Sequence, residues 1–229
     1  MVNWQTPLKP TDLAESRLIE AILDGHFPID SNLPPERALA KQLGVTRPTL
    51  RETLQRMARD GWIEIHHGRP TRVRNYWEEG NLAVLGAIVR HSHALPEDFV
   101  SNLLAVRLLM APAYIHAAVD RDASAVAAAL SGYPDLPDAP QAFARADWEL
   151  HHRLTVLSGN PIFTLILNGF CDFYQEMAEI YFQSPHSRVN SRAFYTDLLD
   201  AARTGNAFAA EEIARRVMKD SLSLWRAAV

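Results

Sequence analysis

The 229-residue sequence predicts a mainly α protein of two domains, a small N-terminal domain with one β-hairpin and a C-terminal bundle of about seven helices. Apolar residues recur at helical spacing over most of the chain, whereas strand-like runs are confined to residues 62–74. Basic residues concentrate before residue 75. We expect the domains at residues 1–75 and 81–229, joined by a linker at 76–80.

The N-terminal domain is predicted to begin with two helices. An amphipathic pattern at residues 11–24 is followed by Gly25, a residue that commonly ends helices. Pro34 and Pro35 suit the start of a second, short helix, which Gly44 should end.

The third helix has an apolar face and an outward face. Thr46 is a suitable N-terminal cap, and Leu50, Leu54 and Met57 recur at spacings of four and three, which predicts that they are buried together. Side chains at the start of the helix then point outward, where recognition helices touch base edges. The outward residues are Arg47, Thr49 and Arg51.

A short hairpin follows the third helix. Residues 62–65 form one strand-like run, His67 and Gly68 the turn, and residues 71–74 the returning run, with Arg69, Arg72 and Arg74 along it. Two short helices followed by a basic hairpin predict a winged helix-turn-helix that binds DNA. The alternative is an ordinary solvated helix face, which would not require the basic hairpin.

The distribution of charge favours this interpretation. Although the net charge of the chain is -4, residues 36–75 hold nine Lys or Arg against four Asp or Glu, and residues 81–229 hold twelve against sixteen. A positive head on a mildly acidic body is typical of a DNA-binding module attached to a separate sensing domain.

Residues 34–75 resemble the DNA-binding domain of the GntR family of bacterial regulators. The matching segments are PPERALA at 34–40, VTRPTLRETL at 45–54, GWI at 61–63 and IHHG at 65–68. The similarity is greatest to the FadR subfamily and continues along nearly the whole chain. The resemblance implies two groups of DNA-contacting residues. Those at the major groove and the DNA backbone are Arg37, Thr46, Arg47, Thr49 and Arg51. Those of the wing, in the adjacent minor groove, are His67, Gly68 and Arg69.

The C-terminal region is helical almost without interruption. We expect helices at residues 81–91, 97–119, 123–129, 140–158, 161–182, 187–204 and 207–225. Ligand sites in such bundles are built from side chains on facing helices. The resemblance identifies this region as the ligand-sensing domain of the FadR type.

Asp147 and His151, four residues apart on one helix face, with His152 adjacent, are candidate metal ligands. Many regulators with this domain complete a metal site with two further histidines, but here Tyr195 and Ser221 stand at the matching positions. We therefore expect no metal, and instead either a hydrogen bond between Asp147 and His151 inside the bundle or a solvated helix face. His116 is the one residue that would revive the metal interpretation.

The resemblance to the FadR subfamily implies a long-chain acyl-CoA as the effector, with no cofactor. The residues that match its binding site are Arg107, Tyr174, Tyr181, Tyr195, Ser221 and Trp225. Tyrosines and Ser221 supply hydrogen bonds for the thioester end, and an apolar channel between helices would take the tail.

The implied protein is a homodimeric transcriptional regulator of fatty acid metabolism that binds a palindromic operator and is released by acyl-CoA. A metal-dependent sensor of organic acids with the same architecture is the alternative. A metalloenzyme that uses Asp147, His151 and His152 is a third hypothesis, although it would not need the basic head. We expect no signal peptide or membrane span, and the single Cys171 fits a reducing cytoplasm.

Overall fold

The computed structural model describes residues 9–66, 68–92 and 95–228. Contacts divide the chain into two compact units, with the boundary between Leu95 and Pro96. This division by packing differs from the expected boundary, because residues 76–80 and the helix that follows them pack within the N-terminal unit. His67, expected at the hairpin turn, lies outside the described residues.

Three helices form the core of the N-terminal unit: α1 (Pro10–Leu23), α2 (Glu36–Leu43) and α3 (Arg47–Asp60). Gly44 ends α2 in the left-handed region, with φ of 69°, a conformation that costs glycine little. The buried face of α3 consists of the three predicted apolar residues and Thr53. The helix-turn-helix expected from the sequence is therefore present.

The wing is an antiparallel pair of two-residue strands, β1 (Ile63–Glu64) and β2 (Arg72–Val73), with Ile63 opposite Val73. A segment before α2 also joins β2, since the Leu33 amide donates to the Thr71 carbonyl at 2.8 Å. The Val73 amide in turn donates to the Ser31 carbonyl at 2.8 Å. The sequence pattern did not predict this third segment.

The segment after the wing is fastened to the end of α3. It contains α4 (Tyr76–Glu79) and α5 (Leu82–His91), which packs against α1 and α3. The Asn81 amide donates to the Asp60 carbonyl at 3.1 Å. At Gly61, with φ of 96°, a Cβ would lie 2.6 Å from Cα of Gly80, so the two backbones are in direct contact.

Six helices form the C-terminal unit: α6 (Phe99–Leu130), α7 (Pro140–Leu157), α8 (Pro161–Asn168), α9 (Cys171–Phe182), α10 (Pro185–Arg203) and α11 (Ala207–Ala228). Long helix α6 lies at the centre and packs against α7, α10 and α11. The core of the C-terminal unit includes Ile115, Phe143, Leu154 and Leu198, all fully buried.

Two breaks refine the predicted helices. The expected break near residue 122 is a local kink inside α6, where Asp122 leaves helical geometry and its Oδ1 accepts hydrogen bonds from Ser124 and Ala125. The expected single helix at 161–182 is instead two helices, because the chain turns at Gly169 and Phe170. By length and composition alone α6 resembles a membrane-crossing helix, a property that core helices of soluble proteins share.

Candidate functional site

The expected DNA-contacting residues of α3 lie together at its N-terminal end. Arg47 and Arg51 are exposed and Thr49 is half-buried. Thr46 caps the helix, because its hydroxyl accepts a hydrogen bond from the Thr49 amide at 3.3 Å, and the two threonine hydroxyls are 2.8 Å apart. The cap fixes the turn that precedes the exposed arginines.

An acidic residue of α2 reaches these arginines. Oε2 of Glu36 accepts a hydrogen bond from Nε of Arg51 at 2.8 Å and lies 3.9 Å from Nη2 of Arg47. Arg37, the next residue of α2, is exposed. Glu36, Arg47 and Arg51 thus lie together at the start of the two helices, and sequence analysis had not singled out Glu36.

The three wing arginines differ in their contacts. Arg69 is exposed next to Gly68, at the tip of the wing. Arg72 pairs with Glu64 at 3.2 Å, with Glu79 at 3.4 Å and also with Asp30, and Arg74 lies 3.5 Å from Glu79. The hydrogen bond from Arg72 holds the pKa of Glu64 below its ordinary value. Arg72 and Arg74 therefore fasten the wing to its surroundings, whereas Arg69 is exposed.

The C-terminal unit contains a cavity of about 110 Å³. Residues of α6 line it at helical spacing, including Leu103, Arg107, Met110 and Tyr114. Aromatic and apolar residues of α9 form much of the remaining wall, and Leu167 and Trp225 contribute from α8 and α11. The lining is mostly apolar with a few polar groups, as is usual for small-molecule sites.

A buried polar cluster borders this cavity. Nη2 of Arg107 donates to Oδ2 of Asp147 at 2.8 Å and lies 2.5 Å from Nε2 of His151. Because a guanidinium only donates, Nε2 accepts and the proton of the neutral imidazole is on Nδ1, which is 2.6 Å from the Tyr114 hydroxyl. Tyr174 donates to Oδ2 of Asp147 at 2.5 Å. The charged groups of the cluster are therefore paired with one another.

Charge and burial set the protonation states in this cluster. Burial raises the pKa of Asp147, but the charge of Arg107, the interaction with His151 and the hydrogen bond from Tyr174 together outweigh burial and hold the pKa below its ordinary value. Burial lowers the pKa of His151, and the charge of Arg107 lowers it further. Burial likewise raises the pKa of the Tyr174 hydroxyl. At neutral pH the cluster holds one cation, one anion and a neutral imidazole.

The position between Asp147 and His151, where a shared metal ion would lie, is filled by Nη2 of Arg107. Oδ1 of Asp147 and Nε2 of His151 are 3.6 Å apart, which is too far for the expected direct hydrogen bond. Within residues 9–66, 68–92 and 95–228, three or more His, Cys, Asp or Glu do not converge anywhere in a group able to hold a metal ion. His116 lies elsewhere, 3.0 Å from Glu211. The donor set does not fit a metal.

The remaining candidate ligand-binding residues fall into two groups. Tyr181 and Trp225 line the cavity, and the Tyr181 hydroxyl donates to Oγ of Ser221 at 3.0 Å. Tyr195 is fully buried and lies behind Asp147, with its hydroxyl 3.4 Å from Oδ1, and it does not line the cavity. Tyr114 and Met110 were missed, although their spacing from Arg107 on one face of α6 was the available signal.

Comparisons with known proteins agree with both halves of the structure. Residues 10–73 match the bacterial regulatory proteins of the gntR family, and residues 74–228 match the FadR C-terminal domain. The fatty acid metabolism regulator protein of Edwardsiella ictaluri is 40% identical over 94% of this chain and 90% of its own length. That of Pasteurella multocida is 38% identical over 98% and 95%.

Solved structures show the same fold at low identity. The Lar protein of Listeria monocytogenes aligns with a TM-score of 0.62 at 15% identity, covering 97% of this chain and 99% of its own. E. coli McbR/YncC aligns with a TM-score of 0.50 at 13% identity, covering 97% and 100%.

The fold and the paired domains define a bacterial transcriptional regulator, a class of DNA-binding protein and not of enzyme. The chain belongs to the GntR family, in the group whose C-terminal domain is of the FadR type.

Proposed function

We propose that this regulator controls fatty acid metabolism in the cytoplasm, binding a palindromic operator as a homodimer and leaving it when long-chain acyl-CoA enters the C-terminal cavity. The names of the relatives support the metabolic role. The FadR-type domain supports a small-molecule effector.

Binding to DNA rests on the exposed start of α3. Arg47 and Arg51 have the reach and chemistry for bidentate contacts to guanine in the major groove, and Arg69 for a contact from the wing in the adjacent minor groove. Two such heads related by a twofold axis would bind two half-sites about one helical turn apart.

The observation that carries the effector proposal is the apolar cavity with polar groups along its wall. A long acyl chain requires an apolar channel, which residues of α6 and α9 supply. The thioester and the pantetheine amides require hydrogen-bonding groups, which Tyr181 and Ser221 supply at α9 and α11. Arg107, which lines the same cavity, offers further donors.

The cavity as it stands is too small for the whole ligand. Its volume of about 110 Å³ is below the roughly 300 to 1,000 Å³ of typical ligand pockets. Acyl-CoA would therefore have to displace side chains, and the unbranched Met110 and Met177 can rearrange easily. A ligand that needs an expanded bundle binds that state selectively, which is the condition for a ligand to shift a conformational equilibrium.

The experiment is a titration of acyl-CoAs of increasing chain length into a complex of the protein with an operator duplex, followed by fluorescence anisotropy. Long chains should release the DNA, whereas free CoA and free fatty acid should act weakly because each supplies half of the contacts. If no chain length releases DNA at micromolar concentrations, the effector proposal is wrong even though the DNA-binding proposal stands.

A further inference from the structure

Glu36 is an acidic residue in the middle of the surface that we propose to face DNA. Its carboxylate contacts Arg51 at 2.8 Å and approaches Arg47 to 3.9 Å. Across the described part of the chain, these are the only ion pairs that either arginine makes. A carboxylate in this position repels the phosphate backbone, so its presence needs a physical reason.

A contribution to folding stability is a weak explanation for the carboxylate of Glu36 at this position. The side chains of Glu36 and Arg51 are 37% and 62% exposed. Exposed ion pairs contribute little to stability because water and salt screen them and ordering two long side chains costs entropy. An acidic residue in the first turn of α2 interacts favourably with the helix dipole. That benefit, however, does not require the carboxylate to reach across to α3.

The geometry of the hydrogen bond between Glu36 and Arg51 explains the presence of the carboxylate better. Glu36 accepts from Nε of Arg51, which fixes the plane of the guanidinium and leaves Nη1 and Nη2 at its far end. Those two nitrogens can donate together to O6 and N7 of guanine, the commonest specific contact in the major groove. The carboxylate also offsets the charge that would attract this arginine to any phosphate.

We infer that Glu36 is a specificity-determining residue that acts by positioning Arg51, and to a lesser degree Arg47, for base contacts. The inference rests on the proposed DNA-binding function. Glu36 lowers the affinity for non-operator DNA and raises the affinity for the operator, so removal of its carboxylate changes the two affinities in opposite directions.

The experiment compares Glu36→Met with Glu52→Met, because methionine keeps the length of the side chain but has no charge and only a weak hydrogen-bond acceptor. Glu52 is a matched control because it is also an exposed acid of the helix-turn-helix, but it pairs with Arg56. The probes are a duplex selected in vitro from a random library by the unaltered protein, and a scrambled duplex of the same length and composition. Dissociation constants for both probes are measured at the same salt concentration.

Glu36→Met should weaken binding to the selected duplex by about tenfold, the scale of one misplaced bidentate contact, and should tighten binding to the scrambled duplex by roughly twofold. Glu52→Met should tighten binding to both and leave their ratio unchanged. Equal changes for both probes with Glu36→Met would overturn the inference, because they would indicate only a charge or folding effect.

A double variant tests the route through Arg51. In an Arg51→Ala background, adding Glu36→Met should leave the ratio of the two dissociation constants nearly unchanged. A further loss of discrimination of the same size would show that the carboxylate acts without Arg51, which contradicts positioning. If the unaltered protein enriches no duplex from the library, the proposed DNA-binding function fails as well, a result distinct from failure of Glu36 alone.

Discussion

The Tyr181 hydroxyl donates to Oγ of Ser221 at 3.0 Å, and Ser221 in turn donates to the Val217 carbonyl at 2.9 Å. This short relay joins α9 to α11 beside the cavity. A ligand carbonyl that enters between the two helices would compete for the same hydroxyl groups.

Tyr181→Phe should raise the acyl-CoA concentration needed to release DNA, by about fivefold to tenfold if one neutral hydrogen bond is lost. Its affinity for the operator without ligand should be unchanged, since Tyr181 belongs to the C-terminal unit. The fluorescence of Trp225, which lines the same cavity, reports ligand binding directly. A variant that releases DNA at the original acyl-CoA concentration would remove Tyr181 from the ligand site.

Arg47→Ala and Arg51→Ala should each weaken operator binding by about 1 to 3 kcal/mol and relax discrimination at one base pair. Arg59→Ala is the matched control, because Arg59 is a 73% exposed arginine at the other end of the same helix. Mobility-shift titrations with the selected and scrambled duplexes measure both quantities. Losses of equal size in all three variants would indicate general electrostatics instead of base recognition.

Chelation should leave folding and operator binding intact, because Arg107 fills the cation position between Asp147 and His151. Circular dichroism and anisotropy before and after treatment with EDTA measure the two properties. Elemental analysis of the purified protein is the decisive control. About one transition metal per chain, lost in His151→Ala, would contradict the arrangement of the cluster.

Acidification should destabilise the protein in a window set by His151. The pKa of buried His151 is lowered, so below about pH 6.5, its ordinary value, the unfolded chain binds more protons than the folded one. The free energy of unfolding should therefore fall by up to about 1.4 kcal/mol per pH unit below about 6.5. Asp147, whose pKa is also lowered, contributes only in more acid solution, below about 3.9.

His151→Gln isolates this effect, because glutamine offers Arg107 an acceptor and does not titrate. Urea unfolding at pH 7.5 and pH 5.5, followed by tryptophan fluorescence, should show a smaller pH-dependent loss in the variant than in the unaltered protein. Equal losses in both proteins would assign the pH dependence to other residues.

The sequence was sufficient where structure follows from local periodicity. The buried face of α3 and its cap at Thr46 were predicted because spacing and capping act within a few residues. The pairing of Ser31 with β2 was missed, since backbone pairing between distant segments leaves no mark on local composition. The break at Gly169 was missed because glycine inside an apolar helical pattern is often tolerated.

Side-chain partners were harder to predict than helix faces. Arg107 and Asp147 are 40 positions apart, so their contact depends on how α6 packs on α7. Arg72 was expected to be one of several basic residues along the hairpin, whereas it forms ion pairs with three carboxylates. The sequence identifies the charged residues, but their ion-pair partners depend on how the helices and strands pack.

The contact between Gly61 and Gly80 has a mechanical consequence. Two backbones meet there with no side chain between them, and Asn81 is hydrogen-bonded to the carbonyl of Asp60. Side chains yield by changing rotamer, but backbone atoms in contact have no such freedom. A displacement of Asn81 is therefore transmitted to the end of α3, because little of it can be absorbed by side-chain rearrangement.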